Sequence, residues 1–258
     1  MRVNDIKEIL RRYHIAPFKS RGQHFLVDEQ AIDKVIHSVN PQKYDTIVEI
    51  GPGLGALTRH LAPNVAKLIA IEIDKGFGHI LKDSLGLLPS FELVQGDILT
   101  VPLPNITGYK IVGNLPYNIA PHILERFLCV RVNRPSLAVV TVQKEFAQRL
   151  VAPQGSLNRI GLFTQYHGNP SIVAHFSPGS FWPQPKVYSS LVVIPLRPPE
   201  ELPLSPEQET RLWALVRRAF GQPRKKMKNS LPLCPALLQE KRPNELSLEE
   251  WIQLASLL

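Results

Sequence analysis

The spacing of apolar residues changes character along the chain. Ile6, Ile9, Leu10 and Tyr13 recur at helical intervals among Lys7, Arg11 and Arg12, which predicts a basic amphipathic helix over 4–14, ended by Pro17. Asp28 is placed as the N-cap of a second helix over 29–39. From residue 46 the pattern turns to alternation of strand and helix. Short β-branched or apolar runs over 46–50, 67–74, 91–94, 109–112 and 136–142 predict five strands. Helices fall between or after them, opening at 56, covering 75–88 and 119–128, and opening again at 143. Strand material returns at 171–176 and 187–196 as a hairpin-like pair around Phe181-Trp182-Pro183-Gln184-Pro185-Lys186. Past the linker-like Arg197-Pro198-Pro199-Glu200-Glu201-Leu202-Pro203 the alternation stops. An amphipathic helix over 206–220 and a last helix opening at Ser247-Leu248-Glu249-Glu250 follow. The expected fold class is α/β with a parallel sheet, followed by a small helical domain. The expected boundaries are an N-terminal basic arm over 1–28, an α/β domain over 29–197 and a helical domain over 198–258.

Composition narrows the picture. The chain has 258 residues and is 44% hydrophobic, enough for a large core. No apolar run approaches the ~20 residues of a membrane helix, and the first residues carry no secretory h-region. Cys129 and Cys234 make neither a disulfide framework nor a metal cluster and read as thiols in a reducing, cytoplasmic compartment. The net charge of +8 favours a polyanionic partner. Arg217, Arg218, Arg224, Lys225, Lys226 and Lys228 concentrate the positive charge of the tail between 211 and 228, with the tail's acids outside that window, which points to phosphate contact. Lys19 and Arg21, before the bend at Gly22, read equally as a solvated arm or an RNA-contacting one.

The chemistry sits at strand ends. Gly51-Pro52-Gly53-Leu54-Gly55 follows the first strand of the alternating region, where glycines let the backbone turn tightly and approach a ligand. Glu72 lies 21 positions after Gly51, the spacing of an acid that holds a ribose diol. A proline inside the loop and no glycine at 56 depart from the dinucleotide fingerprint, so both NAD and S-adenosylmethionine remain open as ligands. Asp97 follows Gly96 at the next strand end, placed to accept from an adenine amino group. Asn114-Leu115-Pro116-Tyr117 ends the strand after that. Asn114 offers a side-chain carbonyl, and Leu115, held extended by Pro116, keeps its own carbonyl out of a helix. Tyr117 adds an aromatic face. Two acceptors beside a flat ring suit an amino-bearing nucleobase. In doubly wound sheets ligands bind beyond the carboxyl ends of the strands, where all four of these groups lie.

Several of these motifs, taken in order, resemble the rRNA adenine dimethyltransferases, the KsgA type acting on the small ribosomal subunit. The matching pieces are Gly22-Gln23-His24-Phe25-Leu26, Glu49-Ile50-Gly51-Pro52-Gly53-Leu54-Gly55, Ile71-Glu72-Ile73-Asp74, Gly96-Asp97 and Asn114-Leu115-Pro116-Tyr117. Val142-Gln143-Lys144-Glu145, Phe181-Trp182-Pro183-Gln184-Pro185-Lys186-Val187 and Arg224-Lys225-Lys226-Met227-Lys228 complete the series, so the resemblance covers nearly the whole chain. It implies a Rossmann-like class I methyltransferase sheet with a small C-terminal helical domain. It implies a protein that uses S-adenosyl-L-methionine to dimethylate adenines of small-subunit (16S) rRNA during ribosome biogenesis, and nothing in the sequence requires more than a monomer. By matched position, His24, Leu26, Gly51, Glu72, Asp97 and Asn114 would contact the cofactor. Asn114 and the Leu115 carbonyl would hold the target amino group, with Tyr117 and Phe181 sandwiching the base. The erythromycin-resistance methylases of large-subunit rRNA, and a catalytically weak assembly factor, are the alternatives. The chain departs from the family at His24 (usually asparagine), at Ala120, over 155–162 and at Tyr188.

Overall fold

The computed structural model describes residues 3–15, 24–231 and 233–257, so Lys19, Arg21, Gly22 and Gln23 of the expected arm lie outside the described residues. The chain opens with α1 (Val3–Arg12), β1 (Phe25–Leu26), α2 (Glu29–Val39), β2 (Thr46–Ile50), α3 (Thr58–Leu61), β3 (Lys67–Glu72), α4 (Lys75–Leu85) and β4 (Phe91–Gln95). It continues with β5 (Lys110–Asn114), α5 (Ala120–Leu128), β6 (Leu137–Gln143), α6 (Lys144–Leu150), α7 (Arg159–His167), β7 (Ser171–Phe176), β8 (Phe181–Trp182) and β9 (Ser189–Pro195). It closes with α8 (Pro206–Phe220), α9 (Met227–Ser230) and α10 (Leu248–Leu257). Two units result, Met1–Ala147 with Ser171–Leu196, and Gln148–Pro170 with Arg197–Leu258.

The first unit is built on a seven-stranded sheet of order β4-β3-β2-β5-β6-β9-β7. The β4-β3, β3-β2, β2-β5 and β5-β6 pairs are parallel, and β9 runs antiparallel between β6 and β7. Strand β2 is buried from Ile47 onward, as expected for a central parallel strand covered on both faces. The Asp28 carboxylate caps α2 by accepting from the Gln30 and Ala31 amides, and Asp74 caps α4 through the Gly76 and Phe77 amides. Helix α2 turns Ala31, Ile32, Val35 and Val39 inward, into a core shared with Ile47, Leu68, Val112 and Val139. The chain leaves β2 for β3 and β4 on one side and for β5 and β6 on the other. The crevice at that reversal is where an open α/β sheet binds ligands.

Three expectations need correction. The N-terminal helix, expected as part of a basic arm, packs on the first unit. Ile6 and Leu10 of α1 are buried against Phe25, Leu54, Phe77 and Ile80, because the apolar stripe finds an apolar surface on the same unit. Burying each such side chain is worth about 1.5–3 kcal/mol. Second, the domain boundary at 197/198 leaves out α7. Leu157, Leu162 and Tyr166 are buried with Leu212, Val216, Met227 and Trp251 in the core of the second unit, so residues 148–170 belong there. Third, Phe181 and Trp182 lie on a strand rather than in a loop. Strand β8 pairs antiparallel with β1, with Leu26 opposite Phe181 and Phe25 opposite Trp182.

The second unit is held by α7, α8 and α10. Ser205 and Gln208 form a reciprocal capping box at the start of α8. Ser247 and Glu250 cap α10 the same way, at 3.2 Å and 2.9 Å. No helix among the described residues is long and apolar enough to cross a membrane.

Candidate functional site

The glycine-rich turn after β2 is left-handed at three positions, with φ of 64° at Gly51, 57° at Gly53 and 81° at Gly55. Only glycine takes this conformation readily, so the backbone folds back on itself and leaves its N–H groups at the carboxyl edge of the sheet. Glu72 anchors the turn from the neighbouring strand. Its carboxylate accepts from the Gly53 amide at 3.0 Å and from the Asp74 amide at 2.8 Å. Burial raises the Glu72 carboxyl above its ordinary range, against the opposing pull of those two amides.

One cavity lies over this edge. His24, Leu26, Gly51, Glu72, Asp97 and Asn114, the six positions expected to meet a cofactor, all line it. Their convergence from five separate segments is a product of the fold. Asp97 is half-buried, and its carboxylate accepts from the Leu99 amide at 2.9 Å. Ile73, 58% exposed, and buried Ile98 add apolar wall on the side of Glu72 and Asp97. A cavity with Glu72 on its wall, a second acid, Asp97, beside an apolar slot, and no lysine or arginine among its described lining residues suits a nucleoside that brings its own positive charge.

The Asn114 end is defined by two carbonyls. Its amide nitrogen donates to the His24 carbonyl at 2.7 Å. Because that carbonyl only accepts, the side-chain Oδ1 must face the other way, where it is buried and has no partner among the described residues. A sealed acceptor without a donor costs stability and marks a position awaiting one. The bonds that open α5 run from the Ile119 and Ala120 amides to the Pro116 carbonyl, and the Leu115 amide donates to Thr141 at 3.0 Å. The expected freedom of the Leu115 carbonyl from the helix therefore rests on Pro116. The Leu115 side chain is buried away from the cavity.

Around Asn114 the aromatic arrangement differs from the expectation. Tyr117 is half-buried, with its hydroxyl 2.8 Å from the Ser189 Oγ, and burial raises its phenol above the ordinary range. Phe181 does not face it. Phe181 is 1% exposed, packed in the sheet core beside Phe176, and does not line the cavity. Alternation along β8 sends Phe181 inward and leaves Trp182 on the other face, stacked on Phe25. The ring facing Tyr117 is His24, stacked at 5.8 Å between centroids. Its Nδ1–H donates to the Pro183 carbonyl at 2.7 Å. His24 thus ties the start of β1 to the Pro183 segment and presents its ring to Tyr117.

Ile6 and Glu49 are among the lining residues that escaped the sequence reading. Ile6 closes the cavity from α1. Glu49, on β2, is 1% exposed, lines the cavity, and has an Oε2 without a partner among the described residues. Burial pushes its carboxyl up to about 8, with the Glu72 carboxylate adding to the rise and Thr58 opposing it. A buried neutral acid next to a second acid fits a cationic group on a ligand, and S-adenosylmethionine carries such groups. The donor set and the two orphaned oxygens fit that cofactor on the chemistry of this chain's own residues.

In the second unit, Arg217 and Arg218 are exposed on the last turn of α8, with Arg224 and Lys225 exposed beyond it. Lys226 and Lys228 are less available than the linear cluster suggests. Both Nζ atoms lie 2.6 Å from the Glu240 carboxylate, which they hold down to about 2.

The strand order, the glycine turn and the acids at successive strand ends define a Rossmann-like methyltransferase domain. A family model described as "Ribosomal RNA adenine dimethylase" matches residues 18–244. The chain is 34% identical, over 96% of its length and 90% of the relative's, to "Ribosomal RNA small subunit methyltransferase A" of Dehalococcoides mccartyi. Among solved structures it is similar to a dimethyladenosine transferase from Plasmodium falciparum, with TM-score 0.78, 24% identity, and coverage of 90% of this chain and 96% of that one. It is also similar in fold to the 23S rRNA methyltransferase ErmE, with TM-score 0.74, 24% identity, and coverage of 90% and 98%. The chain belongs to the ribosomal RNA adenine dimethylase family.

Proposed function

We propose that this protein uses S-adenosyl-L-methionine to dimethylate the exocyclic amino nitrogen of adenines in small-subunit (16S) rRNA. The observation that carries the reading is the buried, unpartnered Oδ1 of Asn114 on the wall of the acid-lined cavity. When bound, the cofactor supplies an electrophilic methyl group. Glu72 would hold its ribose hydroxyls and Asp97 its adenine amino group, with the turn at Gly51 against its methionine end and Leu26 and His24 along the wall. The buried Glu49 acid suits the cationic amino end.

The target nitrogen is a weak nucleophile because its lone pair is delocalised into the ring. Asn114 Oδ1 and the Leu115 carbonyl would accept hydrogen bonds from its two N–H groups and favour a more tetrahedral nitrogen with the lone pair directed at the methyl. The alkylated nitrogen, now acidic, would release a proton to solvent without a strong base. This is catalysis by orientation and electrostatics, without a covalent enzyme intermediate. The adenine must leave its stack to reach this corner, and stacking on Tyr117 offsets part of that cost, at ~1–3 kcal/mol per base. With Phe181 in the core, Tyr117 and its His24 neighbour carry the aromatic contact, and Phe181 acts as support for the β1–β8 pair. Substrate is the small ribosomal subunit, and the protein acts as a monomer in the cytoplasm.

The test is methyl transfer from labelled S-adenosylmethionine to purified small and large ribosomal subunits that lack adenine methylation, with the product read by nucleoside mass spectrometry. Dimethyladenosine in the small subunit supports the reading. Signal confined to large-subunit RNA refutes it in favour of the resistance-methylase activity, and no transfer to either subunit refutes it in favour of an assembly factor.

A further inference from the structure

Lys144 and Lys186 belong to two of the motifs that mark the family, and Tyr188 is a position where the chain departs from it, yet none of the three lines the cofactor cavity. The β6–β9 ladder brings Tyr188 beside Lys144. Gln143 of β6 lies opposite Ser189 of β9, and one residue further on the Lys144 amide donates to the Tyr188 carbonyl at 3.0 Å. Strand β6 is parallel to β5, with Thr141 opposite Asn114, so this end of the ladder lies at the carboxyl edge of the sheet that carries Asn114. Ser189, itself buried, joins it to the target corner, since its Oγ lies 2.8 Å from the Tyr117 hydroxyl. Tyr188 is turned outward and is 54% exposed. The Lys144 Nζ stands over its ring at 6.0 Å from the centroid, the outer limit of a cation–π contact. Lys186, two positions earlier, is exposed as well.

We propose that Tyr188 and Lys144 form a stacking site for the nucleotide next to the target adenine, with the Tyr188 ring against its base and the Lys144 ammonium against the phosphate that links the two. The proposal deepens the rRNA methyl-transfer reading above and rests on it. Turning one adenine out of its stack leaves the neighbouring base without a partner on that side. An exposed ring, one residue from the side chain that fixes Tyr117, replaces the lost partner. Every base has a π-face, so such a contact accepts any neighbour and holds the strand without reading its sequence. The loose contact between Lys144 and the ring leaves the ammonium available as a point charge for a phosphate. Tyr188 is in this way a substrate-binding residue of the first unit and not a catalytic one. It holds the strand in register while Asn114 and Tyr117 hold the target base.

The experiment measures methyl transfer by the full chain to purified small ribosomal subunits lacking adenine dimethylation, as kcat and KM, together with subunit affinity over a range of salt concentrations. The variants are Tyr188→Ala, Tyr188→Leu, Tyr188→Phe and Lys144→Gln. S-adenosylmethionine affinity and the urea midpoint of each variant report on folding. Tyr188→Ala is expected to raise the KM for subunits at least about fivefold, and by more than it lowers kcat. Tyr188→Phe keeps the ring and stays within about twofold of wild type. Tyr188→Leu keeps apolar bulk without a π-face and follows Tyr188→Ala. Lys144→Gln lowers the slope of log affinity against log salt by roughly 0.7, the share of one phosphate contact on a single strand. A wild-type KM in Tyr188→Ala overturns the proposal, as does a Tyr188→Leu protein that matches wild type, since the ring would then serve only as packing. An unchanged slope in Lys144→Gln overturns it as well. A wild-type protein that methylates neither subunit overturns the rRNA reading itself, which distinguishes the two failures.

Discussion

Glu49 makes the stability of this protein depend on pH in a direction opposite to that of most carboxylates. In the unfolded chain its carboxyl titrates near the ordinary 4.5, and in the fold burial holds it near 8. Between those values the folded state keeps a proton that the unfolded state has released. Stability is therefore fully present below 4.5 and falls as pH rises through about 8. Each pH unit in that window costs at most about 1.4 kcal/mol, so the ceiling for the whole window is about 5 kcal/mol, reduced by any water that reaches the cavity. Burial also raises Glu72, which acts in the same direction. Glu49→Gln removes the titrating proton while keeping the shape. The amide's own N–H groups add an offset of about 1–3 kcal/mol that does not change with pH. The informative quantity is thus the difference between variant and wild-type unfolding free energies, measured by urea denaturation at intervals from pH 5 to 8.5 without cofactor. Contributions of titrating groups that do not couple to Glu49 cancel in that difference, and Glu72, whose charge helps to raise Glu49, adds a smaller part of the same sign. The stability of the variant relative to wild type should climb by several kcal/mol across the window. A difference that stays flat within about 0.5 kcal/mol would refute the assignment of a buried neutral acid at position 49.

Three further outcomes are expected. Asn114→Ala should abolish methyl transfer while leaving RNA affinity largely intact, read by single-turnover transfer beside a binding assay; near-normal turnover would remove Asn114 from its role. Gly113→Ala should destabilise the first unit by about 1–3 kcal/mol, because the added Cβ would lie 2.7 Å from the Ile50 carbonyl oxygen; an unchanged urea midpoint would show that β2 and β5 part easily. Glu240→Gln should release Lys226 and Lys228 and steepen the salt dependence of RNA binding by roughly one unit of slope; an unchanged slope would mean these lysines face away from RNA.

The sheet was legible because its signals are local. Buried parallel strands need β-branched runs, and the four runs that lead to the site each end within two residues of a glycine or an acid, so Gly51, Glu72, Asp97 and Asn114 could be placed at strand ends from spacing alone. Helix α7 escaped because Ile160, Gly161, Leu162, Thr164, Tyr166 and His167 are all buried, which leaves no polar face and no helical period to detect. Strands β1 and β8 have two residues each, too short for alternation to register. The inward turn of Phe181 rather than Trp182 is set by pairing with β1, information that a Phe-Trp pair does not contain. Glu49 carried no signal of its own inside the β-branched run of β2, a strand buried from Ile47 onward. Glu240 lies 12 and 14 residues beyond the two lysines it bridges, and only the turn between them reveals the pairing.

Helix α1 gives the cofactor cavity one wall through Ile6, while Leu10, buried one turn further on, does not touch the cavity. Cofactor affinity is then the product of an intrinsic term and the fraction of molecules in which α1 is seated. A change such as Leu10→Ala, remote from every ligand atom, weakens binding by the factor by which it empties the seated state. Cofactor added in excess pulls the helix back by mass action. The same arithmetic lets one short helix set how readily spent cofactor is exchanged between two successive methyl transfers, with no change in the sheet or in the residues that perform the chemistry.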